Sequence, residues 1–388
     1  MTERPESVAA QAVSRLLRDD LRGRTAYGAP QLDVPVRLNT NENSYAVPAV
    51  VVEAIADAVR ACAAALNRYP DREFTALRED LAAYLGRQTG VPVEPARLWA
   101  GNGSNEVLQH VVQAFAGPGR VCLGFTPAYS MHPIISGVMG STWVDGHRGA
   151  ATGVFDLDAA DVVAQVREHR PHVVFLCSPN NPTGTALSLD VVRAVLDAAP
   201  DTLVVVDEAY AEFARPGTPS ALSLLAAYPT LVVTRTMSKA FALAGGRLGY
   251  LVAAPEVIDA LRLVRMPYHL SSQTQAVARA ALAHHEELLA EVEAIKSQRD
   301  RMVEELTRLG CCPVPSDANF VLFGGLADAA ATWQALLDQG VLVRDVGIAH
   351  HLRVTAGTPD ETTAFLAALA ALPSSHLLEP VAAQGVSA

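Results

Sequence analysis

Apolar positions in the middle of the chain come in short, nearly unbroken runs: apolar and β-branched residues fill 121–123, 173–176, 203–206, 231–234 and 249–253. Between most of them lie helix-length segments such as 188–199, where apolar residues recur every three or four positions. A strand with one face in water alternates apolar with polar residues, so a continuously apolar strand is one covered on both faces. Such strands alternating with helices predict an α/β fold with a mostly parallel central sheet.

The flanking patterns differ. Residues 8–21 read as a short amphipathic helix, followed by an arm over 23–30 that contains Gly and Pro. Helical spacing covers 49–65 and 74–85, with the turn-forming Asn67-Arg-Tyr69-Pro-Asp71 between them. After the sheet, a long helical stretch over 272–309 leads into strands at 318–323, 341–344 and 352–355 and helices at 329–339 and 360–371. The expected organisation is an N-terminal helix and arm over 1–48, a large domain over 49–285, a smaller α+β domain over 286–373, and a disordered tail over 374–388.

Composition narrows the function. At 388 residues and 50% hydrophobic, the chain can bury a large core and a smaller one. A net charge of −11 argues against nucleic acid as principal partner, while leaving room for a local basic pocket that takes a phosphorylated small molecule. The five cysteines are scattered, without CxxC or Cys/His ligand spacing, which predicts a reducing compartment, hence the cytoplasm, and no metal site. His284-His285 and His350-His351 have no ligand partner at suitable spacing, and Trp99, Trp143 and Trp333 read as packing residues. No run approaches the roughly 18 apolar residues a membrane span needs.

Of the 30 basic residues all but two are arginine. A lysine kept against that bias points to amine chemistry, because an ε-amine can lose its proton near neutral pH and condense with a carbonyl, whereas a guanidinium cannot. Lys296 has the bland explanation of a solvated helical ion pair, with Glu293 three residues before it and Asp300 four after. Lys239, in Arg235-Thr-Met-Ser-Lys239-Ala-Phe, does not.

Ligands of parallel α/β sheets bind beyond the carboxyl ends of the strands. There the chain places Asn181 after 173–176, Asp207 and Tyr210 after 203–206, and Thr236, Ser238, Lys239 and Arg247 after 231–234. The loop Gly101-Asn-Gly-Ser104-Asn105-Glu106 precedes a helix and offers backbone N–H groups to an anion. These groups meet the needs of pyridoxal 5′-phosphate: an amine for its aldehyde, a carboxylate for its ring nitrogen, donors for its phenolic oxygen, and amides, hydroxyls and an arginine for its phosphate. Each piece alone is unspecific. Asp207 and Tyr210 could cap a helix, Asn-Pro-Thr-Gly could be a turn, and Val204-Val-Val-Asp207-Glu208 resembles a Walker B strand, although no GxxxxGK[ST] loop exists. The joint, ordered spacing is what carries the reading.

With those residues in view, the chain resembles the fold-type I, class I/II aminotransferases, and within them the histidinol-phosphate subfamily. The likeness runs from Leu38-Asn-Thr-Asn41-Glu-Asn43 and Tyr69-Pro-Asp71, through Ser178-Pro-Asn-Asn-Pro-Thr-Gly184 and Asp207-Glu-Ala-Tyr210-Ala-Glu-Phe213, to Ser316-Asp-Ala-Asn319-Phe320 and Leu352-Arg353-Val-Thr-Ala-Gly357. Ser44 and Asn105 stand where many relatives carry proline and aspartate, and Gly245-Gly246 replaces a more usual Ala-Gly-Leu-like sequence before Arg247.

The resemblance implies a fold-type I transferase with a large domain and a smaller C-terminal α+β domain. It implies that Lys239 condenses with the cofactor, Asp207 pairs with the ring nitrogen, and Asn181 and Tyr210 bond the phenolic oxygen. Ser104, Asn105, Thr236, Ser238 and Arg247 would hold the cofactor phosphate, with Tyr69 reaching it from a partner subunit, and Tyr129 would stack on the ring. Arg353 would grip a substrate carboxylate. Tyr27 (from the partner) and Arg344 would meet a substrate phosphate, and Asn41 would line the pocket. The implied reaction is transamination between L-histidinol phosphate and 2-oxoglutarate by a homodimer. An aromatic amino-acid aminotransferase, a decarboxylase using the same cofactor, and a non-catalytic regulator of the same fold stay open as alternatives.

Overall fold

The computed structural model describes residues 8–149 and 155–378. The chain divides into two compact units, Met1–Asp33 and Val34–Ala388. In the first, helix Val8–Leu16 is followed by a 3-10 turn, Asp19–Leu21. The Arg22 guanidinium folds back to donate to the carbonyls of Ser14, Arg15 and Leu17, where the helix end presents unpaired acceptors. Its apolar Val13 and Leu16 are exposed.

The second unit holds the sheet. In chain order the strands are β1 (Val36–Arg37), β2 (Leu98–Gly101), β3 (Val121–Thr126), β4 (Thr142–His147), β5 (Val173–Cys177), β6 (Leu203–Asp207), β7 (Leu231–Thr236), β8 (Gly249–Val252), β9 (Cys312–Pro313), β10 (Phe320–Gly324), β11 (Val341–Leu342) and β12 (Leu352–Thr355). Seven form one sheet in the order β2-β8-β7-β6-β5-β3-β4. All run parallel except β8, which is antiparallel to both neighbours. Every residue of the central strands β5, β6 and β7 is buried, as their unbroken apolar runs predict for a sheet covered on both faces. Helices Ser104–Phe115 and Pro255–Val264 pack on each other beside β8, and Ala159–His169 packs on Leu189–Ala198.

Chain order and strand order reverse between β3 and β5: β4 lies outside β3, and the chain then returns to β3's other side. That reversal opens a crevice at the carboxyl ends of the strands.

The later layer is smaller. β10 pairs antiparallel with β12 and β9, and β1 pairs parallel with β11. The helix predicted over 272–309 is two helices, Ser272–Ala283 and His285–Arg308, separated at His284, whose backbone leaves the helical region. Residues 374–378, which the sequence assigns to a disordered tail, are tied in. Leu377 bridges Leu326 and packs on the core, and the Leu378 N–H donates to Gly325. The rest of that segment, 379–388, lies outside the described residues. Among the described residues no helix is long and apolar enough to cross a membrane, and no group of three or more His, Cys, Asp or Glu could hold a metal ion.

Candidate active site

Three neighbouring parallel strands end in the residues that matter. β6 closes on Asp207, which is 2% exposed. Thr234 of β7, its cross-strand partner, donates its hydroxyl to Asp207 Oδ1 at 3.1 Å, and His132 Nε2 lies 3.1 Å from Oδ2. His132 is itself buried, stacked on Phe175 of β5 at 4.7 Å and set edge-on to Tyr129. Both carboxylate oxygens therefore have a hydrogen-bond partner.

Tyr210 follows, three residues on. Its hydroxyl accepts N–H bonds from Asn41 at 3.0 Å and Asn181 at 3.4 Å. Burial pushes its pKa up to about 12, so it keeps its proton at neutral pH. With two N–H groups pointing in, that O–H is left to donate outward.

Asn41 adopts a left-handed backbone (φ 56°), which asparagine tolerates better than most residues. It is held from the smaller layer. Its N–H donates to Thr355 Oγ1, that hydroxyl donates to Asn41 Oδ1, and Asn319 Nδ2 donates to its carbonyl, each at 3.1 Å.

Arg353 of β12 joins the same set. Its guanidinium donates to Asn181 Oδ1 and to the Asn39 carbonyl and lies over the Phe320 ring, 5.1 Å from the centroid. Arg344 pairs with Arg353 through two backbone bonds of 2.9 Å. Directly opposed residues of an antiparallel pair present their side chains on the same face, so the two arginines are neighbours.

Lys239 lies in the turn after β7 and donates to the Thr40 carbonyl at 3.1 Å. Burial, reinforced by the positive charges of Arg353 and Arg247 and opposed by Glu42, lowers its pKa to about 8. A fraction of the amine is therefore neutral near physiological pH, as imine chemistry requires.

At the far edge, helix Ser104–Phe115 starts at Gly103 with no side-chain cap, leaving the first-turn amides of Ser104 and Asn105 as anion donors. Two glycines make this corner possible. A Cβ on Gly103 (φ 88°) would lie 2.5 Å from Arg247 Nη2, and one on Gly249 would lie 2.0 Å from the Ser104 nitrogen. Arg247 donates to the carbonyls of Asn102 and Ala244. Thr236 Oγ1 accepts from the Ser238 N–H at 3.1 Å, and Tyr129 donates its hydroxyl to Asn105 Oδ1 at 3.2 Å. The corner is thus a cradle of amides, hydroxyls and a guanidinium.

The structure brings Asn41, Asn181, Tyr210 and Arg353 into direct contact, and sets Lys239, Asp207, Thr236, Ser238, Ser104, Asn105, Tyr129 and Arg247 around the same strand ends. Tyr69 stands apart. It is 79% exposed and stacks on Tyr268, with ring centroids 4.4 Å apart. Tyr27 is exposed and belongs to the first unit. Sequence reasoning gave no role to His132, Thr234, Asn39, Thr355 or Asn319. A lone histidine carries no spacing signal, and Asn39 and Asn319 act through contacts made by chain segments far apart in sequence.

A family model for aminotransferase class I and II matches residues 34–369. The chain is 62% identical over 358 residues to a histidinol-phosphate aminotransferase of Paenarthrobacter aurescens, covering 92% of this chain and 94% of that one. It is 60% identical over 356 residues to the enzyme of the same description from Frankia casuarinae, covering 91% and 89%. Among solved structures, histidinol-phosphate aminotransferase from Sinorhizobium meliloti in complex with pyridoxal 5′-phosphate is similar at a TM-score of 0.77 and 27% identity, over 87% of this chain and 90% of that one.

Proposed function

This chain belongs to the class I and II aminotransferase family, and from that membership we propose that it transfers the amino group of L-histidinol phosphate to 2-oxoglutarate, giving imidazole acetol phosphate and L-glutamate in histidine biosynthesis. One observation carries the chemistry: an amine of lowered pKa, a buried carboxylate and a proton-retaining phenol stand at the ends of adjacent parallel strands. The substrate follows from relatives sharing 55–62% of their residues with this chain over more than nine-tenths of it, all described as histidinol-phosphate aminotransferases.

The cofactor is pyridoxal 5′-phosphate, and the donor set fits it. Asp207 would hold its ring nitrogen, Tyr210 and Asn181 its phenolic oxygen, Tyr129 its ring face, and the Ser104–Arg247 corner, with Thr236 and Ser238, its phosphate. When bound, it supplies an aldehyde carbon to carry the amino group and a ring that draws electrons from the substrate's Cα.

The remaining work falls to the chain. Asp207, held by Thr234 and His132, would set its carboxylate against the ring nitrogen and favour a proton there. Tyr210 would donate its O–H to the phenolic oxygen, aimed by the two asparagine amides. Lys239 would serve as a base held within its own turn, placed to take up and return the proton at substrate Cα. Arg353 is aimed by Asn181 and Asn39, so the residue that orients Tyr210 also orients the substrate's anion. Glutamate offers Arg353 a carboxylate. Histidinol phosphate has none, and its phosphate ester would meet the Arg344 and Arg353 pair instead, with Tyr27 supplied by a second copy of the chain.

We place the working enzyme in the cytoplasm as a homodimer. All five cysteines are free, and exposed apolar residues cluster in sequence around the Tyr69–Tyr268 stack: Leu66, Leu263 and Met266. A second copy would cover them and receive Tyr69. Half-reaction kinetics test the substrate: mixing holoenzyme with L-histidinol phosphate should convert the bound cofactor to its amine form more efficiently than phenylalanine does. Equal or better conversion by phenylalanine would assign the chain to aromatic amino acids instead.

A further inference from the structure

Three buried charges lie next to the site without entering it: Glu208 (3% exposed), Arg235 (3%) and Glu212 (8%). Arg235 donates through Nε and Nη2 to Glu208 Oε2 at 3.2 and 2.8 Å, and through Nη1 to Glu212 Oε1 at 3.3 Å. The carboxylates are anchored in turn. Glu208 accepts the Ala221 N–H and the Ser220 hydroxyl, each at 2.7 Å, and Glu212 accepts the Tyr84 hydroxyl at 3.4 Å.

Each member is a sequence neighbour of a site residue. Glu208 follows Asp207, Arg235 sits between Thr234 and Thr236, and Glu212 is two residues beyond Tyr210. Alternate residues of a strand point to opposite faces, so Arg235 and Glu208 occupy the face of the sheet away from Thr234 and Asp207. Packing alone does not brace that side, because a cavity of about 440 Å³ opens there, with Glu208, Glu212, Arg235 and Lys296 in its wall.

We propose that Arg235 is a positioning residue which, by pairing with Glu208 and Glu212, fixes the carboxyl ends of β6 and β7 and so sets Asp207, Tyr210 and the Lys239 turn in place around the cofactor. Stability alone is a poor reason to bury three charges, since apolar residues of equal volume usually hold a core as well or better. An ion triad with forked geometry adds direction. Shifting the fork by one hydrogen-bond length would turn Asp207 and Thr236 through the backbone they share with it.

The inference rests on the cofactor assignment, and the test separates the two. Arg235→Lys keeps the charge and loses the fork, while Glu212→Gln keeps the Arg235–Glu208 pair and the fold should it be needed as the milder change. Both are compared with Lys296→Met, at the cavity rim. Pyridoxal 5′-phosphate dissociation and the pH midpoint of the bound cofactor's visible absorbance are measured at a temperature where circular dichroism shows each variant folded. The expected result is a dissociation constant raised about tenfold in both triad variants, the size of effect of displacing a charged hydrogen-bond partner, together with a moved midpoint and no change in Lys296→Met. A lowered melting temperature with dissociation and midpoint unchanged would make the triad merely structural and overturn the proposal. Equal shifts in Lys296→Met would overturn it too. Absence of cofactor absorbance in the unsubstituted protein would count against the cofactor assignment instead.

Discussion

Replacing Tyr210 with phenylalanine removes one oxygen on which two buried amides converge. Asn41 Nδ2, 3.0 Å away, loses a well-formed bond, and Asn181 Nδ2, at 3.4 Å, loses a weak one. Stranding a buried donor costs about 1–3 kcal/mol, so the cofactor-free protein should melt roughly 2–6 °C lower. The holoenzyme loses more. In the proposed holoenzyme the phenol, with its pKa pushed up to about 12, would donate to the cofactor's phenolic oxygen and favour the form in which that oxygen is anionic. A hydrogen bond to a charged group contributes about 1.5–3 kcal/mol, which is about 1–2 pH units. The midpoint of the bound cofactor's visible absorbance should therefore rise by about that much in Tyr210→Phe. Absorbance titration of the holoenzyme together with calorimetry of the cofactor-free form measures both. A midpoint and a melting temperature equal to those of the unsubstituted protein would refute the reasoning, because the hydroxyl would then be bonded to neither the asparagines nor the cofactor.

Other expectations follow from the same geometry. Capture of cofactor by the cofactor-free protein needs a neutral Lys239, whose pKa is about 8; its rate should fall about tenfold per pH unit below 8 and level off above it, and a flat stopped-flow profile between pH 6 and 9 would contradict the assignment. Gly103→Ala would set a Cβ 2.5 Å from Arg247 Nη2 at φ 88°, so equilibrium dialysis should show cofactor affinity reduced at least about tenfold, the loss of one charge-assisted phosphate contact. Arg353→Lys keeps the charge and loses the fork shared by Asn181 and Asn39; steady-state kinetics should show the KM for glutamate raised by about tenfold or more.

The sheet was legible where the chain gave a pure signal. β3, β5, β6, β7 and β8 are short apolar runs, and each falls where the runs predict it. The two strands that went unread, β2 and β4, are the sheet's edges. β2 has four residues, and β4 carries Thr142, Asp145, Gly146 and His147, a polar texture suited to an edge and lacking the apolar run of a central strand. The interruption at His284 was hidden because the residues around it, Ala-Leu-Ala-His-His-Glu-Glu, favour helix on both sides. Asp207 at the end of β6 and Lys239 in the turn after β7 stand at the strand-end positions that the apolar runs predict. His132 was not, because its role comes from the Phe175 ring beneath it and the Asp207 carboxylate beside it, neither of which is near it in sequence. The long-range asparagine contacts, Asn41 to Asn319 and Arg353 to Asn39, are likewise properties of the folded layers and not of any local pattern.

Lys239 is the residue proposed to hold the cofactor, and the chain offers only one other lysine. Lys296 is paired with Glu293 at 2.8 Å on the long helix. Borohydride reduction of the holoenzyme fixes an imine as a stable secondary amine, and peptide mass mapping then locates it. The cofactor adduct is expected on the peptide containing Lys239 and absent from Lys239→Ala, while an adduct on Lys296, or none on either lysine, would contradict the assignment.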